Sequence, residues 1–442
     1  MNSKLSYMVG VLAAAGLCSH SLWAQSSPSF VEVPLYTTGF ETNEGYSTLY
    51  TLAGQGDWQE TSDGGNGIVP DFFPGSGQQA YIGLFPPSAA QASVTVYHDL
   101  PATMVSGSNA VVRFTVSFEL VDSVNGKRDN FQWTFLNRSQ QFLFSLDFDM
   151  ETLGISYALN DTAGFRATGE DFLPSGIFDM EILADFSKNE WSATINNQPV
   201  VTAQPISTRP GTEISRDLGN VDVTWAIYDP ANPGDNFMVF DDYRVVELVP
   251  AAQISGFVLS DTNSNNTGDA PLAGVTLTLK TGAGADIDSN PATPGVQPTT
   301  TTTSTNGSYV FGGLLPGSFQ VHQTQPPGYV SVTDADGGNA DVIGDVTPMT
   351  LAIGTLKTNQ TFVERPIGQV VKLVPTGYLG QLGFLLQVEV LVSATHVVEA
   401  TSDWVQWTPI RTINPGTTGV IDVLDSNASS YPRRFYRVKS TL

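Results

Sequence analysis

The sequence predicts an all-β protein built from three modules, and three observations carry that expectation. Apolar and polar residues alternate with period two in one stretch after another. Examples are Val112, Phe114, Val116 and Phe118 against Arg113, Thr115, Ser117 and Glu119, and Phe131, Trp133 and Phe135 against Gln132 and Thr134. This is the pattern of half-buried strands. Turn signals punctuate these stretches at Asn196-Asn197, Asn306-Gly307 and Pro316-Gly317. From Phe30 to Val249 no segment carries an apolar face at helical spacing, and 442 residues leave room for several domains.

Residues 1–24 read as a secretory signal. Lys4 is the basic start, Leu5 to Leu17 the apolar core, and Leu22-Trp23-Ala24 the cleavage site, leaving Gln25 first. The apolar core is too short to span a bilayer. Cys18 is the single cysteine and lies inside this segment, so the mature chain is expected to have no disulfide, thiolate nucleophile or cysteine-bound metal. Leu17 is not the small residue that a lipid anchor on Cys18 calls for. The formal net charge of −24 argues against nucleic acid and anionic membranes as partners, and suits an extracellular protein that meets divalent cations. No other segment is apolar for long enough to cross a membrane, so the expected address is outside the cell or at its surface.

The first module, 30–250, is expected to be a jelly-roll sandwich of many short strands. Trp191 to Ile195 leads through Asn196-Asn197 to Val200-Val201, a hairpin, and Met238 to Val246 is the last strand. The stretch FSLDFDMETLG sets Asp147, Asp149 and Glu151 at period two, where a glycosidase would need two carboxylates across a sugar bond. A hairpin with exposed acids near its tip is the reading preferred for it, and no catalytic residue is assigned. Trp58, Tyr81 and Trp225 are the candidates for stacking on a sugar. The histidines His98, His322 and His396 fall one to a module, so neither a metal cluster nor a triad is expected. The pieces GFETNEGYSTLYTLAGQGDWQ, GSGQQAYIG, DFSKNEWSATINNQPV and GDNFMVFDDYRVVEL resemble the concanavalin-like lectin and glucanase jelly rolls of secreted bacterial proteins. A galactose-binding-type jelly roll is the competing assignment; there, acids placed like Glu41 and Asp241 can hold a structural calcium.

The middle module, 252–366, opens with a strand alternating about Ile254, Gly256 and Val258, then a polar loop. Asp261, Asn263, Asn265, Thr267 and Asp269 offer oxygens at every second residue, as a calcium loop does. Asn266 stands at position six, where it tolerates a left-handed backbone. Leu272 stands at position twelve in place of a bidentate acid, so the loop is incomplete. A second loop carrying Asp334, Asp336 and Asp341 is expected to supply the missing oxygens. Calcium is the expected cofactor, detectable as a higher melting temperature. GFVLSDTNSNNTGDAPLAGVTLTL, TNGSYVFGGLLPG, QPPGYVSVTDADGGNADVI and NQTFVE resemble, in order, the B-type repeat of serine-aspartate-repeat surface adhesins. That resemblance implies a prealbumin-like sandwich, bound calcium and a spacer role on extracellular proteins. Some related modules carry a Lys–Asn isopeptide bond; the first strand here has no Lys and Gln323 stands where Glu is usual, so none is expected. The insertion KTGAGADIDSNPATPGVQPTTTTTST reads as a mobile low-complexity loop.

The last module, 367–442, is expected to be a small β domain with an apolar strand from Phe384 to Val392. Trp407, Asp425, Phe435 and Tyr436 match a short C-terminal β domain that it resembles, found on secreted proteins of Verrucomicrobia-like bacteria. Arg433, Arg434, Arg437 and Lys439 form a basic spot that reads as a solvated strand end or a docking surface. The expectation for the whole is a secreted, non-catalytic binding or adhesion protein, its partner an extracellular polysaccharide or surface glycan. A polysaccharide-active enzyme and a purely structural matrix component are the alternatives.

Overall fold

The computed structural model describes residues 30–61, 64–101, 103–174, 176–367, 373–390, 395–414 and 419–441. Residues 1–24, which include Cys18 and were expected to be a signal cleaved after Ala24, lie outside them. The described residues form strands joined by turns and four single-turn 3-10 helices, and no α-helix occurs among them. None of their helices is long and apolar enough to cross a membrane.

The alternating stretches of the first module become the strands of two facing sheets. One runs Gln198–Pro205, Glu190–Ile195, Ile177–Asp185, Val111–Val121, Phe237–Pro250, Gln78–Pro87, Gly64–Pro70, with Phe30–Thr38 also paired to Phe237–Pro250. The other runs Arg166–Asp171, Gly154–Leu159, Phe142–Phe148, Asn130–Leu136, Asn220–Ala226, Ser93–Tyr97, Gln59–Glu60. Their inner faces meet through aromatic pairs. Phe114 lies 5.2 Å from Trp133, Phe118 lies 5.1 Å from Phe148, and Phe144 stacks on Trp191 at 4.2 Å, centroid to centroid. This is a jelly-roll sandwich, closed by burial of large rings. Asn196 and Asn197 both take positive φ, 49° and 62°, as a two-residue type I′ hairpin turn requires.

Trp58 and Trp225 belong to this core, and Tyr81 packs with Phe73 and Val239 in a smaller cluster. All three are buried. The expectation that they stack on a sugar is therefore corrected: each is a core ring, with its face covered by neighbouring side chains.

The middle module is a second sandwich. Ala252–Ser260 is flanked by Phe362–Pro366, Ser308–Leu314, Leu356–Lys357 and Ala270–Pro271, and Tyr329–Thr333 extends the sheet beyond Phe362–Pro366. Thr300–Thr302, Thr276–Thr281, Gly317–Gln323, Val342–Ile343 and Met349–Leu351 make the opposing sheet. Ile254, Val258, Leu277, Leu279, Val321 and Phe362 fill the space between. A side chain at Gly256 would put its Cβ 1.6 Å from the Gln360 carbonyl oxygen, so only glycine permits this close approach. The Gly/Pro/Thr insertion is not structureless. Thr300–Thr302 pairs with Thr276–Thr278, and Lys280 bridges to Asp286 and Asp288 to Pro298. Threonine is a good strand former, which its low complexity concealed.

The last module packs Leu373–Tyr378, Phe384–Val390 and Gly419–Asp425 against Thr395–Thr401, Thr408–Ile413 and Phe435–Thr441. Leu386, Val388, Val390, Val398, Ile413 and Val423 form its core. Much of its basic spot is paired internally. Arg434 meets Asp425 at 2.8 Å, while Arg437 meets Glu399 at 2.6 Å and lies over the Trp407 ring.

Candidate functional site

Strand alternation sends Phe131, Trp133, Phe135, Leu146, Phe148, Val221, Val223 and Trp225 into the core of the first module. The residues between them must therefore face outward from the seven-stranded sheet. Across this face the register aligns Asp222 with Thr134 and Thr134 with Ser145, and in the next row Thr95, Thr224, Gln132, Asp147 and Ser156. The result is a polar platform on a rigid sheet.

At one end of the platform lies a cup of about 340 Å3, near the lower bound for small-ligand sites. Asn130, Gln132, Asp147 and Ser156 line it together with Asp149, Ala226, Phe165 and Tyr228. Asp147 is 4% exposed, and its Oδ1 has no hydrogen-bond partner. Ser156 Oγ donates to its Oδ2 at 3.2 Å. Burial pushes the Asp147 carboxyl up to about 6, an effect that Gln132 and Ser156 only partly offset. Asp222, two strands away, is buried too, with its Oδ1 unpartnered; burial and then the charge of Asp99 push it up to about 7. Asp149 caps the adjoining turn, accepting from the Glu151 and Thr152 amides.

Two aromatic side chains lining this cup are exposed rather than packed: Phe165 at 56% and Tyr228 at 68%. Tyr228 is held in place at both ends. Its backbone N–H donates to Asp129 Oδ1 at 2.9 Å, and Asn130 Nδ2 donates to its phenol oxygen at 2.7 Å. Asp129, itself buried, also accepts from the Gly234 amide. Burial, followed by the charges of Asp149, Asp147 and Asp129, raises the Tyr228 phenol above its ordinary value. The field at the cup is thus negative.

Asp147 was legible as a candidate acid, but the structure moves it. It lies inside the sheet on the strand Phe142–Phe148, not exposed at the hairpin tip, and only Asp149 and Glu151 reach the turn. Gln132, Phe165 and Tyr228 carried no motif. The one signal for Gln132 was its place between inward Phe131 and Trp133. Phe165 and Tyr228 sit in loops, where periodicity is silent. Glu41 and Asp241 do come near one another, but as parts of a packed corner. Gln79 Nε2 donates to Asp241 at 3.0 Å, and Glu41 Oε1 accepts from the Gln78 amide at 3.1 Å.

The expected calcium loop folds around Asp261, which is fully buried. Its carboxylate accepts from the Asn265 amide at 3.1 Å, the Asn266 amide at 3.0 Å and the Arg365 guanidinium at 2.8 Å. Burial pushes this carboxyl up, but Arg365 and the two amides more than offset it and hold it below the ordinary Asp value. Asn266 takes φ 66°, the left-handed turn expected of it. Asp269 accepts from Asn263 Nδ2 and the Thr262 amide, and Asn265 Oδ1 from the Thr267 amide. Leu272 packs against the core.

The second loop does not complete this one. Ser260 pairs with Glu364 in parallel, whereas Thr333 pairs with Val363 in the antiparallel strand on the other side. The two loops therefore leave Phe362–Pro366 toward opposite ends. Asp334 instead accepts from the Asp336 and Gly337 amides, Asp336 from the Gly344 amide, and Asp341 from Ser331 Oγ. Among the described residues no three His, Cys, Asp or Glu side chains converge as a metal site. A guanidinium occupies the acidic centre where a cation was expected, so this donor set, as arranged, does not fit calcium.

Residues 252–366 match the SdrD B-like domain family. No curated protein matches the chain. Among solved structures the chain is similar to basic winged bean lectin with Tn-antigen, at 10% identity over 48% of this chain and 98% of that one, with a TM-score of 0.33. It is also similar to the carbohydrate recognition domain of Emp47p, at 10% identity over 49% and 97%, TM-score 0.33. A third is the catalytic domain of a glycoside hydrolase family 131 protein from Coprinopsis cinerea, at 13% identity over 48% and 93%, TM-score 0.31.

Proposed function

We propose that this is a secreted binding or adhesion protein whose first module holds a carbohydrate on the outward face of its seven-stranded sheet. The middle module serves as a spacer. The observation that carries the reading is the cup: a floor of Gln132, Asp147 and Ser156 on rigid strands, with exposed Phe165 and a braced Tyr228 beside it. Sugars present both faces to proteins, hydroxyls for amides and carboxylates and C–H surfaces for aromatic rings.

The reading is non-catalytic. Asp147 and Asp222 have the raised carboxyls that glycosidase acids need. However, they lie two strands and two residues apart, about 12 Å between Cα atoms from strand spacing and rise, with Gln132 and Thr134 between them. Carboxyls that flank a sugar bond are about 5 to 9.5 Å apart. A glycan array probed with the wild-type chain and the Tyr228→Ala and Gln132→Ala variants tests the proposal. Retention of a glycan that both variants weaken, without release of reducing sugar, is expected. No retained glycan, or retention indifferent to both substitutions, would reject the site. Reducing-sugar release lost in Asp147→Asn would make it an enzyme.

A further inference from the structure

We propose that the cup selects a sugar bearing a protonated amine, a pyranose whose amino substituent is not acetylated. This inference rests on the carbohydrate reading and narrows its ligand.

Two buried aspartates of this chain make the argument by contrast. Asp261 in the middle module is buried with a guanidinium at 2.8 Å. Asp147 is buried almost as deeply, yet its Oδ1 has no hydrogen-bond partner and, among the described residues, no cation pairs with it. A buried carboxylate without a counter-charge is costly; Asp222 shares that state, but Asp147 is the one that lines a cup beside exposed rings. The neighbouring basic groups are committed elsewhere. Arg128 pairs with Asp122 at 2.7 Å and Glu151 at 3.6 Å, Arg166 with Asp161 at 2.6 Å, and Lys127 with Asp229 at 3.5 Å. The cup itself is lined by two carboxylates, Asp147 and Asp149, and by no base.

The exposed rings fit the same ligand. An ammonium is attracted to an aromatic face, and more strongly when it is partly desolvated. Tyr228 is fixed before any ligand arrives, so little ordering is needed on binding. Gln132, Asn130 and Ser156 offer the uncharged polar groups that ring hydroxyls require.

The test is calorimetric titration of the full chain, in low salt at about pH 6.5, where the Asp147 carboxyl has lost its proton and a sugar amine still carries one, with four probes. These are a β-1,4-linked glucosamine trimer, its fully N-acetylated counterpart, the corresponding glucose trimer, and 1,6-diaminohexane. The expected result is that the glucosamine trimer binds about tenfold or more tightly than either neutral trimer. That preference should shrink as salt rises and vanish in Asp147→Asn. Should that variant not fold, the salt dependence of the wild-type preference decides the matter. Equal binding of the three trimers would overturn the amine inference while leaving carbohydrate binding intact. Binding of none of the three would overturn both. A diamine as tight as the glucosamine trimer would show that a cation alone suffices and remove the sugar from the proposal.

Discussion

Asp147 and Asp261 show how one residue type takes opposite characters from its surroundings. At Asp261, amides and Arg365 outweigh burial; at Asp147, burial wins. The consequence for stability has a definite sign. Asp147 keeps its proton up to about pH 6 when folded but releases it near pH 4 when unfolded, so the folded state binds more protons in that window. Its contribution to stability therefore falls as pH rises from about 4 to 6 and is constant above, a loss of about 3 kcal/mol. Asp147→Asn should accordingly gain stability over wild type at pH 7.5 and lose that gain below pH 4. Denaturant melts of both proteins across this range check it, and a difference independent of pH would refute the burial argument.

At the scale of elements, strands were readable and loops were not. Period-two alternation marked Val111–Val121 and Asn130–Leu136, because each has one face in the core and one in water. The Asn-Asn turn was readable because few residues tolerate positive φ twice in succession. The partner of Asp261 was hidden, because Arg365 lies 104 positions away and only the parallel pairing of Ala252–Ser260 with Phe362–Pro366 joins them. The loop motif named the acids but could not say which cation answers them. This gives a sharp expectation. Arg365→Ala, by leaving Asp261 buried and unpaired, should destabilise the middle module by about 3 kcal/mol. Millimolar calcium should then restore part of the loss, since Asp261 and Asn266, which hold the guanidinium, are left without a cation. Wild type, with its guanidinium in place, should change little on adding calcium or chelator. Thermal melts read both, and a wild-type melting temperature that drops sharply with chelator would show that calcium displaces Arg365.

Across the whole molecule, the buried apolar residues fall into one large and one small cluster in the first module and one cluster in each of the other two. Three sandwiches with separate cores should unfold separately. Scanning calorimetry of the full chain is expected to show three transitions, and removal of residues 368–442 should delete one and leave the others in place. A single cooperative transition would mean that the interfaces, not the cores, govern stability. The connection between the first two sandwiches bears on a different property. Phe237–Pro250 passes through one residue, Ala251, into Ala252–Ser260, and the opening strand of the first sandwich lies antiparallel beside it, with Phe30 opposite Pro250. The backbone thus enters and leaves that sandwich at the same corner. Under tension between Phe30 and the middle module, the paired strands would be peeled apart one rung at a time instead of being sheared together. Pulled between those two points, the first sandwich would therefore open from its corner at low force, which leaves it unsuited to serve as a tether.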